Sequence, residues 1–307
     1  MNYVQLYQAI QDYSENTESL FVGNISRFVQ EAEDRIYNSV QIPSLRKNVM
    51  GTLTSSNNYL SCPDDYLSTY SLAVIDGTTG AYSYLLNKDV NFIREAYPTP
   101  TSTGFPRYYA LFGSQYSNAN ELSFIVGPTP DSGYSVELHY FYYPVSIVQG
   151  AISSIGAITG GSLYTNGNYT NVPLTGGSGS GATANITVSG QTVTAVTIKN
   201  NGNFYVAGDQ LSCSNANIGG SGSGFSVVLN GVNNTAGTSW LGDNYDPVLF
   251  YGAMREAMLF MKGEADLVKY YEEKYTEAMS QLNRLGSGLE RGDAYRDGQY
   301  RIGQVKP

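Results

Sequence analysis

The sequence predicts an α+β fold: a helical body from N- and C-terminal helices with a small antiparallel sheet, plus an inserted all-β domain. Two kinds of periodicity carry this reading. Apolar residues recur at helical spacing near both ends of the 307-residue chain. Between them apolar and polar residues alternate, first in a segment of ordinary composition and then in a glycine-rich one almost free of charge. The expected division is a core of residues 1–145 and 241–288, an insert of 146–240, and an extended tail of 289–307.

Val4, Leu6, Tyr7, Ile10 and Tyr13 predict a first helix, closed by the polar run Ser14-Glu15-Asn16-Thr17. Ile25, Phe28, Val29, Ala32 and Ile36 form the stripe of a second, with Glu31, Asp34 and Arg35 outside it. It should stop near Ile42, because Pro43 disfavours helical geometry in the residue before it. Strand chemistry follows. Val49–Thr54, the turn 55–58 and Tyr59-Leu60 predict a hairpin; Ser71–Ile75 runs into Asp76-Gly77, and Ala81–Leu85 follows. Asn87 is placed to cap a short helix, Lys88–Ala96, ended by Tyr97-Pro98. Arg107–Phe112, Glu121–Val126 and Tyr134–Tyr143 complete the sheet. The last strand sets Tyr134, Val136, Leu138, Tyr140 and Tyr142 on one face.

From Ser146 to Trp240 the only charges are Lys199 and Asp209, and 18 of the 34 glycines fall there. The stretch repeats. Asn166-Gly167-Asn168-Tyr169 is echoed by Asn201-Gly202-Asn203-Phe204, and the glycine run 176–181 by 219–224. An alternating strand follows each run, Ala184–Val188 and Phe225–Leu229. Two β-units able to share a core are therefore expected, not a flexible linker. Helix resumes at Asp246-Pro247. Leu249, Ala253, Ala257, Phe260 and Met261 give one buried face, and Leu267, Tyr271, Tyr275, Ala278 and Leu282 continue it past a break at Gly263. Gly286-Ser287-Gly288 should end the helix.

Net charge is −9 and charged residues make up 14% of the chain, while tyrosine occurs 27 times. Tyrosine buries its ring and keeps a polar tip, so many tyrosines and few charges suit surface buried against other subunits. No basic patch is present, which argues against tight nucleic-acid binding. Cys62 and Cys213 lie far apart and imply no disulfide framework. With no secretory signal and no membrane-length apolar run, a soluble protein made and kept in a reducing cytoplasm is expected.

Catalytic, cofactor and metal residues are not expected. His139 is the only histidine, which excludes the common hydrolytic triads and most zinc sites. It shares a strand face with Glu137, and a Glu/His pair can be catalytic, but it reads as a half-exposed strand histidine; the glycine runs lack the lysine of a phosphate loop.

Several stretches resemble the head-to-tail adaptor proteins of short-tailed phages, a family common among marine and cyanobacterial viruses. They are Phe28–Tyr37 (FVQEAEDRIY), Leu45–Asn48 (LRKN), Tyr59–Leu67 (YLSCPDDYL), Leu249–Ala253 (LFYGA), Phe260–Asp266 (FMKGEAD) and Asp293–Gln299 (DAYRDGQ). They fall in residues 1–145 and 241–307, in order; the insert is similar to a glycine-rich β-module of marine phage virion proteins. The resemblance implies a virion structural protein at the head–tail junction, assembled in the host cytoplasm. It implies a ring of copies of this chain, usually twelve, with the portal protein above and the tail nozzle and tail fibre proteins below. DNA would pass through without specific binding. The C-terminal tail would contact the portal through Tyr295, Arg296, Tyr300 and Arg301. The alternative is a glycan-binding, adhesive virion protein using exposed Tyr164, Tyr169, Phe204 and Tyr205 of the insert.

Overall fold

Three helical pieces open the chain in the computed structural model, which describes residues 1–113 and 122–297, with side chains to residue 286. Helix α1 (Tyr3–Ser14) starts in a capping box: Asn2 accepts from the Gln5 backbone, and the Gln5 side chain accepts from the Asn2 N–H. Its stripe buries Tyr3, Leu6 and Ile10. After the single turn α2 (Ser19–Val22), α3 (Ile25–Ser39) buries the stripe expected of it, and also Glu33.

The described residues form two compact units, one within 41–144 and one of residues 1–40 with those from 145 onward. The first contains β1 (Arg46–Leu53), β2 (Tyr59–Ser61), β3 (Tyr66–Ile75), β4 (Tyr82–Tyr84), β5 (Leu86–Asn87), α4 (Val90–Ala96), β6 (Thr103–Gly104), β7 (Tyr108–Gly113), β8 (Ser123–Gly127), β9 (Thr129–Pro130) and β10 (Tyr134–Tyr142). Where one small sheet was expected there are two four-stranded ones, ordered β1-β10-β3-β4 and β2-β8-β7-β5. The first is antiparallel throughout, and the second includes one parallel pair, β5 with β7. Their facing sides share a core of Leu53, Leu72, Val74, Val136, Leu138 and Tyr140 with Tyr109, Phe124 and Val126. The far side of β8 packs Ile125 against Ile93 of α4 and Ala110.

Val49–Leu60 is not a hairpin. β1 pairs with β10, and β2 pairs with β8 in the other sheet. The turn between them is built by Asn57, whose N–H donates to the Thr54 carbonyl and whose side chain accepts from the Tyr59 N–H. β10, whose alternation is visible in the sequence, is one of the two inner strands of its sheet and lies between β1 and β3. The cap of α4 is Asp89, whose carboxylate accepts from Asn91 N–H, not Asn87. Glu121, expected in β8, lies outside the described residues.

The glycine-rich segment folds as one six-stranded antiparallel sheet. Its strands are β11 (Ala151–Ser162), β12 (Gly167–Thr175), β13 (Ser180–Ser189), β14 (Thr192–Asn203), β15 (Gln210–Cys213) and β16 (Ser223–Asn233). The order β11-β16-β15-β12-β13-β14 exchanges strands between two three-stranded repeats. The first strand of each repeat pairs with the last strand of the other, about the central β12–β15 pair. The sheet curls until its edges meet. Tyr164 N–H donates to Gln191 at one end of the seam, and Phe204 and Tyr205 N–H donate to Gln149 and Gly150 at the other. Alternation fills the interior with Ala182, Ala184, Ile186 and Val188 of β13 and Phe225, Val227 and Leu229 of β16.

The chain then enters the turn α5 (Trp240–Asn244), α6 (Asp246–Phe260) and α7 (Ala265–Asp297). The break between α6 and α7 falls at Gly263, as its sequence predicts. The predicted stop at Gly286-Ser287-Gly288 does not occur, and residues 289–297 are helical, not extended. Each interior glycine costs only about 1 kcal/mol of helix stability, and Leu289, Glu290, Arg291 and Ala294 are helix formers that offset it.

Candidate functional site

The three long helices of this unit are cross-linked by charge. On α3, Arg35 donates to Glu256 of α6 at 2.7 Å. Arg255 donates to the same carboxylate at 2.8 Å and to Glu272 of α7. Gly252 of α6 leaves room for Ala32 of α3 and the ring of Tyr275 of α7, so the helices meet closely where the network sits. The Glu256 side chain is 10% exposed. One acceptor thus serves two guanidiniums on different helices.

Around this clamp the body leaves aromatic surface open. Tyr13 of α1 meets Phe250 of α6 edge-on at 5.1 Å, Phe250 leans on Tyr251, and Tyr270 lies beside Tyr271 on α7. Tyr13 is 65% exposed, and Tyr270, Leu267, Leu259 and Phe260 are exposed as well. Tyr13 belongs to the predicted stripe of α1, and nothing in that spacing shows that the end of the stripe runs out beyond the body. Tyr295 and Arg296 lie on the last stretch of α7, and Tyr300 and Arg301 lie outside the described residues.

The four aromatic residues expected on the surface of the insert are placed otherwise. Tyr164 and Tyr205 are buried, each at 3% exposure. They are equivalent residues of the two repeats. Gly161 and Gly202 both have positive φ, followed two residues later by positive φ at Leu163 and Phe204. Each tyrosine ring then lies where a side chain on one glycine of the other repeat would stand, Gly222 for Tyr164 and Gly179 for Tyr205. The repeat therefore aligns Gly202 with Gly161, not with Gly167 as the Asn-Gly-Asn echo suggested. Tyr169 is half-buried, its hydroxyl on the Thr165 carbonyl at 2.8 Å. Phe204 packs on Tyr3 and Tyr7 of α1. Two of the four rings are therefore buried and the other two half-buried, not exposed as expected.

His139 meets the edge of Tyr70 at 5.5 Å, and Asn48 donates to Glu137 from the neighbouring strand. These are cross-strand contacts of an ordinary sheet face. Among the described residues no group of three or more histidine, cysteine, aspartate or glutamate side chains is gathered to hold a metal. No helix there is long and apolar enough to cross a membrane.

The helices are thus tied by a shared ion network, and aromatic side chains are left exposed on them. The family model described as SU10 adaptor protein matches residues 1–158, more than half of the chain, and the chain belongs to that family. It is a phage structural adaptor protein, a component of the virion. No curated protein matches the chain.

Proposed function

We propose that the chain forms a ring between the portal and the tail of a short-tailed phage, twelvefold in the common form, and continues the channel for DNA. The family membership over residues 1–158 carries this reading. A tyrosine-rich chain with few charges and exposed aromatic residues on its helices suits large permanent interfaces. Its net negative charge suits a lumen past which the DNA backbone slides without sticking. Portal lies above the ring, and nozzle and fibre proteins below. The insert, 146–240, is an addition to the adaptor core of 1–145 and 241–288 and projects from the ring exterior.

In this proposal the C-terminal segment is the portal-binding arm. Tyr295-Arg296 and Tyr300-Arg301 each pair an aromatic anchor with a guanidinium, the side-chain types that most often dominate interface energy. Many identical arms acting together multiply a modest affinity. Truncation after Ser287 is expected to weaken co-sedimentation with portal rings about a hundredfold or more. A chain in which a short linker joins Val145 to Ser239 is expected to bind portal as the full chain does. Undiminished binding by the truncated chain would move the attachment to the helical body.

A further inference from the structure

Glu33 is a buried carboxyl with no cation paired to it among the described residues. It lies on the inner face of α3, one turn after Val29 and one before Ile36, and is 2% exposed. Both of its oxygens grip the segment that leads into β11. One is 2.5 Å from the Ser146 hydroxyl, and the other accepts from Ile147 N–H at 2.8 Å. The outgoing turn is tied to the same point, since the Asn234 side chain donates to the Ser146 carbonyl at 2.7 Å and to the Thr238 carbonyl at 2.8 Å. Beside it Tyr3 N–H donates to the Gly237 carbonyl, and the Tyr3 hydroxyl accepts from Asn203. The neck of the insert, 146–148 with 234–238, is therefore fastened to helices α1 and α3.

The titratable groups facing Glu33 are Tyr3 from α1 and Asp34 on its own helix. Neither is a cation, and the neck itself presents Ser146 and Asn234, which do not titrate. Among the described residues no ion pair reaches the carboxyl. Protonated, the carboxyl is neutral: it still accepts from Ile147 N–H, and its own O–H can turn to the oxygen of Ser146, whose hydroxyl donates to the carboxyl in the structure. Ionised, it holds an uncompensated charge out of water. Burial pushes its pKa up to about 7, against the opposite pull of the Ser146 hydroxyl and the Ile147 N–H.

We propose that Glu33 is a proton-operated latch: protonated, it holds the neck of the insert on α3, and ionised it releases the neck. A raised folded-state pKa means that the latch's contribution is complete below the ordinary carboxylate range and is lost as pH rises through about 7.

Hydrogen exchange of the purified full chain reads this directly. Once chemical exchange rates are corrected for pH, protection of residues 146–150 and 234–238 should fall about tenfold between roughly pH 6 and 8. In Glu33→Gln, whose amide reproduces the neutral pattern of one donor and one acceptor, protection there should stay level. The strand interior at 184–188 should show no such dependence in either protein. Equal slopes in the wild type and Glu33→Gln would overturn the proposal. Should Glu33→Gln fail to fold, carbon NMR of the wild-type carboxyl decides: a midpoint near 7 supports the latch, and one in the ordinary carboxylate range overturns it.

Discussion

Gly222→Ala should destabilise the glycine-rich sheet by about 3 kcal/mol, as overpacking of a filled site does. A Cβ at Gly222 would stand far closer to Cδ1 of the Tyr164 ring than van der Waals contact allows. That ring cannot swing away, because it is buried and its hydroxyl accepts from Phe225 N–H at 3.1 Å. Gly222 has no positive φ, so the expected cost is steric, not conformational. Gly179→Ala should behave alike, since a Cβ there meets the ring of Tyr205 and the backbone carbonyl of Asn203. Chemical denaturation of the single variants, of Tyr164→Ala, and of Gly222→Ala with Tyr164→Ala measures the coupling. The double variant should cost at least about 1 kcal/mol less than the sum of the singles, because the clash disappears with the ring. Additive losses would mean that the glycine is not there to admit the tyrosine.

Phe124→Ala should cost about 4 kcal/mol in the unit of residues 41–144, the usual range for removing a fully buried phenylalanine. Phe124 is completely buried in β8 and takes the edges of Tyr66 at 5.5 Å and Tyr109 at 5.7 Å. Edge-to-face geometry adds to what its area alone contributes. Denaturant unfolding followed by tyrosine fluorescence checks the loss, and a change below about 1 kcal/mol would show that the shared core of the two sheets is not packed as described.

Much of this fold was legible because its signals are local. The stripe of α3, the alternation of β10, Pro247 at the start of α6 and Gly263 between α6 and α7 each act within a turn or a few residues. Partners distant in sequence were not legible. Val49–Thr54 reads as half of a hairpin, because the turn beside it is visible and the true partner of its strand, β10, is far along the chain. The glycine runs read as loops, and loops suggest exposed aromatics. Tyr164 and Tyr205 are buried because each run lets a strand of the other repeat come close, a relation no local pattern carries. Glu33 is the instructive omission. Its spacing from Val29 and Ile36 sets it on the buried face of α3, and an acid at a stripe position was a signal available in the sequence. Its partners Ser146 and Ile147, however, become visible only in the folded chain.

The central claim is that this adaptor assembles on the portal. Electron microscopy of the purified chain mixed with portal rings of the same phage tests it most directly. The account predicts a second ring stacked coaxially on the portal with an open axial channel, and density for the insert on its outer side. Intact portal rings left bare, with the chain remaining unassembled at saturating concentration, would contradict it.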